Sequence, residues 1–175
     1  MATWTAATAI PAGGLITSAW MTNITGAANF LGASGTSAKD LFFARQTVAQ
    51  AIPGNSYTAL TFTTEDIDAA GGHSTTTNTS RYTVQAAGKY RLTGSISVPA
   101  SVTASQMVGA FYKNGTLATP GGKGTFNVVS TTAEQSFIMP NLYVSLNASD
   151  YVELQVFKPT GFTTDVSVSQ STFGV

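Results

Sequence analysis

The chain has 175 residues, and its 8 basic and 8 acidic side chains cancel to a formal net charge of zero. Without a basic surplus it has no electrostatic attraction to nucleic acid or to an anionic membrane surface, so we expect neither as a partner. Charged residues make up only 9% of the chain, whereas about 25% is usual. A surface this poor in charge favours association, and we expect a homo-oligomer.

The sequence also excludes several kinds of site and segment. It contains no cysteine, which excludes disulfides and thiolate metal sites. No uninterrupted apolar run approaches the roughly 20 residues of a membrane span, so we expect no membrane insertion. The first ten residues lack a basic segment followed by an apolar run, and we expect no secretory signal peptide.

Residues 1–44 differ in composition from the rest of the chain. They hold both tryptophans, and their first ionisable side chains are Lys39 and Asp40. Their apolar residues are irregularly spaced, although residues 17–30 are compatible with a short helix. We predict an extended or partly helical N-terminal anchor that docks on another protein, because an unstructured tail would not explain the tryptophans. The predicted docking residues are Trp4, Ile10, Leu15, Ile16, Trp20, Met21 and Ile24.

From residue 41 onward, short alternating runs are separated by turn-forming residues. Candidate strands lie at residues 41–49, 57–63, 81–85, 89–98, 106–112, 125–129, 134–146, 151–157 and 165–173. The sharpest turn signal is Asn114 followed by Gly115, because both residues tolerate the positive φ angles of a two-residue type I′ turn. Many short strands with recurrent turns predict an all-β sandwich or barrel.

Two of these strands carry the strongest pattern. Residues 88–98 place apolar side chains on one side and polar ones on the other, which fixes the pairing register. Residues 150–158 also alternate, but Tyr151 and Phe157 lie opposite the Leu and Val side chains. We expect a second sheet or a neighbouring subunit to cover both faces. The predicted core or trimer packing residues are Tyr90, Leu92, Ile96, Tyr151, Leu154, Phe157 and Phe173.

Four motifs follow one another along this region. They are GKY at 88–90, FYKNG at 111–115, LNASDYVEL at 146–154 and FGV at 173–175. In order and spacing they resemble the jelly roll of complement C1q and tumour necrosis factor. The resemblance implies a jelly-roll β-sandwich over residues 45–175 that assembles as a homotrimer.

The opening of the chain carries a second resemblance. Trp4 and the run IPAGGLITSAWMTNI are similar to N-terminal segments of minor structural proteins of tailed bacteriophages. Together the two resemblances imply a non-enzymatic virion protein, either a trimeric head fibre or capsid decoration or a tail-appendage knob, made in the host cytoplasm and displayed on the particle exterior. Its partners would be a capsid or tail protein and a host cell-surface glycan. The alternative is a secreted C1q-like lectin or signalling module, which would require a leader.

The one acidic cluster is a candidate metal site. It comprises Glu65, Asp66 and Asp68, and His73, the only histidine, follows it. Oxygen ligands at this density suit Ca²⁺, which some C1q-like trimers hold. The spacing lacks the EF-hand pattern, so a solvated acidic loop is the simpler interpretation. Some phage trimers align histidines around an axial metal, but a loop histidine is more often solvated.

No catalytic residues are predicted. A serine triad would depend on His73 alone, and nothing in the sequence places a base beside any serine. A glycosidase needs two carboxylates at a cleft, whereas Glu134 and Glu153 lie at outward positions of strands.

The aromatic residues of the β region have two interpretations. They are Tyr112, Tyr143, Tyr151, Phe157 and Phe162. One interpretation is a sugar-binding face, because aromatic rings stack on saccharides. The other, which we prefer, is subunit packing, because aromatics are enriched at interfaces. A receptor site would lie in the loops near residues 71–77 or 121–124.

Overall fold

The computed structural model describes residues 41–100, 104–129, 132–159, 166–168 and 171–175. The chain divides into two units, Met1–Lys39 and Asp40–Val175. The predicted docking residues, Trp4 to Ile24, lie outside the described residues, and so does Phe162. The predicted boundary between residues 44 and 45 falls within the first strand, and the assignment of an anchor to residues 1–44 stays a prediction.

The described residues form strands and no helix, which confirms the all-β prediction. No helix in these ranges is long and apolar enough to cross a membrane. The strands are β1 (Phe42–Arg45), β2 (Gln50–Ile52), β3 (Ser56–Ala59), β4 (Thr64–Asp68), β5 (Arg81–Thr83), β6 (Gly88–Val98), β7 (Ser105–Lys113), β8 (Thr116–Leu117), β9 (Lys123–Val128), β10 (Gln135–Ile138), β11 (Leu142–Leu146), β12 (Tyr151–Lys158), β13 (Val166–Val168) and β14 (Thr172–Gly174).

The first sheet is antiparallel and is built on β6. Its strand order is β10-β6-β14-β1-β4, and β11 also pairs with β6. β10 pairs with residues 95–98 of β6 and β11 with residues 88–92, so this one long strand serves two partners on one edge.

The second sheet is also antiparallel and is built on β12 and β7. Its strand order is β3-β12-β7-β8, β5 also pairs with β12, and β9 also pairs with β7. A separate two-stranded sheet joins β13 to β2.

The core lies between the two main sheets. Its centre is Phe173 of β14, whose ring centroid lies 5.5 Å from Phe42, 5.7 Å from Phe62 and 6.2 Å from Phe111. Fully buried side chains from β6 and β12 surround it: Leu92, Ile96, Val98, Val152, Leu154 and Val156. Among the predicted packing residues, Tyr90 packs against this core, whereas Tyr151 and Phe157 lie on the outward side of β12.

Two glycines let the sheets approach closely. A Cβ atom on Gly109 would overlap the side chains of Met139 and Ile96, and one on Gly94 would lie 2.9 Å from Leu154 Cδ2. Ordinary contacts between carbon atoms lie near 3.5–4.0 Å. Larger residues at these two positions would therefore push the sheets apart.

Some predictions about strands were wrong. Residues 165–173, predicted as one strand, contain β13 and the start of β14, which belong to different sheets. Residues 134–146 form two strands, β10 and β11, with Pro140 between them, because proline has no N–H to donate to a sheet. Residues 64–68, which we interpreted as an acidic loop, form β4 at the edge of the first sheet. Charged side chains are a common protection for an edge strand against unwanted pairing.

The predicted hairpin is present and is tied to a second turn. Asn114 and Gly115 have φ angles of 50° and 75°. Asn114 Nδ2 donates to Asp150 Oδ1 at 2.6 Å, Lys113 Nζ lies 2.8 Å from Asp150 Oδ2, and the Asn147 N–H donates to the same oxygen at 2.7 Å. Asp150 therefore joins the β7–β8 hairpin to the β11–β12 turn.

We expect the contacts of Asp150 with Lys113, Asn114 and Asn147 to stabilise the fold at neutral pH. In acid we expect this stabilisation to be lost. The hydrogen bond from Lys113, followed by those from Asn147 and Asn114, lowers the pKa of Asp150 from 3.8 to about 2. Because the pKa is lowered in the folded state, the stabilisation is present above about pH 4 and is lost as the pH falls toward 2. Asp150→Asn should lower the urea midpoint at pH 7, and the difference from wild type should shrink toward pH 2.

The matched control is Glu134→Gln, an exposed carboxylate outside the junction, which should leave the midpoint unchanged. If Asp150→Asn lowered the urea midpoint equally at pH 7 and at pH 2, the charge of the carboxylate would not be the source of the stabilisation.

Candidate subunit interface

The outward side of the first sheet presents a continuous set of side chains in register. We call this surface the β6 face. Its cross-strand rows are Ile67, Phe43, Gly174 and Thr93, then Arg45, Thr172, Ser95 and Ile138, then Arg91 and Tyr143. The hydroxyls of Ser95 and Thr172 lie 2.8 Å apart, which confirms that their strands turn the same side outward.

The β6 face exposes large apolar side chains. Ile138 is 88% exposed, Tyr143 is 74% exposed and Ile67 is 48% exposed. Threonine and serine side chains lie between them. Exposed apolar groups within a weakly charged surround are typical of a protein-protein interface.

The charges on the β6 face are few. Arg45 makes a bidentate pair with Asp66, with Nε–Oδ2 at 2.6 Å and Nη2–Oδ1 at 2.8 Å. The pair lowers the pKa of Asp66, chiefly through the hydrogen bond from Arg45. Arg91 has no carboxylate within ion-pair distance in the described part of the chain. Lys89, the next outward residue of β6, adds one more exposed charge at the end of the face. The face therefore carries few charges that would oppose burial.

The predicted metal ligands are held in separate contacts. Asp66 pairs with Arg45, and the Asp68 carboxylate accepts the backbone N–H groups of Gly72 at 3.0 Å and His73 at 2.9 Å. In the described ranges, no group of three or more His, Asp or Glu side chains is placed to hold a metal ion. Of the predicted ligands only Glu65 and His73 contact each other through their side chains, and a site at these residues stays a prediction.

The environment of His73 differs most from what the sequence predicted, which was a solvated loop histidine. Its side chain is fully buried and therefore not solvated. Nδ1 lies 2.8 Å from Glu65 Oε1, Nε2 lies 3.1 Å from the Thr79 carbonyl oxygen, and the ring centroid lies 5.0 Å from that of Phe42. His73 thus fastens the segment after β4 to the sheet. A histidine between Gly72 and Ser74 gives no sequence signal of this burial.

The outward side of the second sheet holds a buried carboxylate. Glu153 is only 6% exposed, and it accepts hydrogen bonds from Ser80 Oγ at 2.9 Å and Gln155 Nε2 at 3.0 Å. Arg81 Nε lies 3.9 Å away. Glu134, the other carboxylate considered above, is exposed before β10 of the first sheet, so the two do not share a cleft.

We expect His73→Ala to destabilise the fold. The change leaves Glu65 and the Thr79 carbonyl without their shared partner, and such a loss costs about 1–3 kcal/mol. Urea denaturation at pH 7 measures it, with Thr75→Ala, an exposed residue of the same loop, as the control. A loss below about 0.5 kcal/mol, the range of ordinary surface changes, would contradict this role.

Comparisons with known proteins identify the fold. No protein-family model and no curated protein matches the chain. Among solved structures, the globular domain of zebrafish complement 1qA protein matches with a TM-score of 0.53 and 13% identity, covering 78% of this chain and 94% of that chain. Murine APRIL at pH 5.0 has a TM-score of 0.49 and 10% identity, covering 77% and 95%. The described domain is a C1q-like jelly-roll β-sandwich, as its motifs predicted.

Proposed function

We propose that this protein is a non-enzymatic homotrimer whose subunits meet through the β6 face. The observation that carries the proposal is the exposure of Ile138 and Tyr143 on a sheet side with few charges. A cyclic assembly closes on itself, so it covers such a face without forming open filaments. The low charged fraction of the whole chain fits a surface that is partly buried between subunits.

The site geometry supports a non-enzymatic role. His73, the only histidine, is buried and has both ring nitrogens engaged, by Glu65 and by Thr79. Ser80 donates its hydroxyl to the buried carboxylate of Glu153. Neither contact leaves an accessible nucleophile beside a free base, which hydrolytic chemistry needs.

We further propose that the trimer is displayed on a bacteriophage particle, as a head fibre, capsid decoration or tail-appendage knob. What supports this is the resemblance of residues 4–24 to N-terminal segments of phage structural proteins, and the anchor at residues 1–44 is proposed to attach the trimer to a capsid or tail protein. A secreted lectin or signalling module, the alternative, would share the jelly roll but would have no attachment to a virion. Incorporation into particles therefore distinguishes the two.

The trimer is tested by the mass of the full chain in solution. Light scattering should give three times 18.1 kDa, and Tyr143→Lys should shift the mass toward one chain, because three ammonium groups would be buried at the interfaces. Val48→Lys, an equally drastic change of an exposed apolar residue off the β6 face, is the control. A wild-type monomer, or a Tyr143→Lys trimer, would overturn the proposed interface.

The same measurement tests the predicted Ca²⁺ or axial metal. Dissociation of the trimer by EDTA would support a metal shared between subunits at Glu65, Asp66 or Asp68, because the side chain of His73 is buried within one chain. An unchanged mass would remove the need for one.

Attachment is tested by deletion. We expect a chain without residues 1–40 to remain trimeric and to be missing from purified particles when it replaces the full chain during infection. Mass spectrometry of the particles measures its incorporation. A truncated chain that still enters particles would place the attachment elsewhere.

A further inference from the structure

We propose that the outward side of the second sheet binds an acidic saccharide. The site is a platform of three aromatic rings, Tyr57, Tyr112 and Phe157, with Lys123 at its margin; we call it the aromatic platform. It depends on the proposed trimer in one respect: burying the β6 face would leave this opposite side of each subunit turned outward. The platform itself lies within a single chain.

Tyr57 of β3 brings the platform together. Its ring centroid lies 5.5 Å from that of Tyr112, at an interplanar angle of 55°, and 5.2 Å from that of Phe157, at 43°. All three residues are half-buried. Each residue therefore keeps part of its surface exposed, against which the C–H groups of a sugar can pack.

The sheet register places polar groups beside the rings. Two cross-strand rows run over β12, β7 and β9: Gln155, Ala110 and Lys123, and then Phe157, Val108 and Thr125. Ala110 is fully buried although it points outward, so larger side chains close over it. The Tyr112 hydroxyl, whose pKa burial raises further above its usual value near 10, is protonated at neutral pH and can donate a hydrogen bond.

Lys123 gives the site its preference for a negative charge. Its Nζ lies 5.6 Å from the centroid of the Tyr57 ring, and no carboxylate lies within ion-pair distance of it in the described ranges. Arg81 and Lys113, by contrast, each have a carboxylate partner. An exposed ammonium group that lies over the Tyr57 ring and has no carboxylate partner is complementary to an anionic group on a ligand.

These groups together select a saccharide over other ligands. A sugar ring offers apolar C–H groups on one face and hydroxyls at its edge, which match the rings and the side chains of Gln155 and Thr125. A nucleic acid would need a continuous track of cations, which a chain of zero net charge does not provide. A protein partner would need a far larger apolar surface than three half-buried rings.

Repetition would strengthen the interaction. Three platforms on one rigid trimer can engage a polymer of repeating acidic sugars at once, and the combined affinity then greatly exceeds that of one site. The proposal therefore concerns repetitive surface glycans rather than isolated monosaccharides.

The test uses the full chain on an array of saccharides bearing uronate, sialate or pyruvate groups, together with matched neutral saccharides. We expect binding to acidic members. Lys123→Gln should weaken that binding by about 2- to 5-fold, as expected for one exposed ion pair, and Tyr112→Ala by about 2- to 10-fold. Lys89→Gln removes the same charge from an exposed site on the first sheet and should leave binding unchanged.

Three results would overturn the site. They are no binding to any acidic member, binding to neutral members alone, and equal losses for Lys123→Gln and Lys89→Gln. Light scattering on the same samples separates this proposal from the trimer. A trimer that binds no saccharide would refute only the platform, and a monomer that binds acidic saccharides would refute only the trimer.

Discussion

The packing of Phe173 holds the two sheets together. Its ring contacts Phe42 from its own sheet, Phe111 from the opposite sheet, and Phe62 from the segment that follows β3. Burying an aromatic side chain of this size contributes about 1.5–3 kcal/mol. These rings and the leucine and valine side chains of β6 and β12 are buried in the core. The outward sides of both sheets therefore remain available for other contacts.

Successive side chains of each strand point alternately into the core and outward. The two outward sides can therefore differ in composition while the core stays apolar. On the first sheet, Ile67, Ile138 and Tyr143 are exposed among threonine, serine and arginine side chains. On the second sheet the outward residues form an aromatic platform with a lysine that has no carboxylate partner in the described ranges. The aromatics that the sequence presents as one set are thus divided: Tyr143 lies on one side of the sandwich, and Tyr112 and Phe157 lie on the other. Subunit packing and sugar binding are therefore compatible interpretations of different residues.

Local patterns predicted the parts of the fold that depend on local chemistry. The period of two revealed β6 and β12, and the Asn114-Gly115 pair revealed the hairpin. β4 was missed because it pairs with β1, a strand from which β2 and β3 separate it in the sequence. Burial of His73 was missed for the same reason, since a ring that packs on Phe42 leaves no periodic trace. The aromatic platform could not be predicted from the sequence either. Tyr57 lies close to Tyr112 and Phe157 only because β3, β12 and β7 are neighbours in the second sheet.

The position of β14 has a consequence for how long the folded protein persists. This strand is inserted between β1 and β6, so the sandwich cannot close until segments distant in sequence have met. Such non-local topology slows folding. It also means that fraying of the edge strands β4 and β10 leaves β14, and the Phe173 ring at its centre, in place. Slow opening of this kind protects a chain from proteases by kinetics rather than by equilibrium stability.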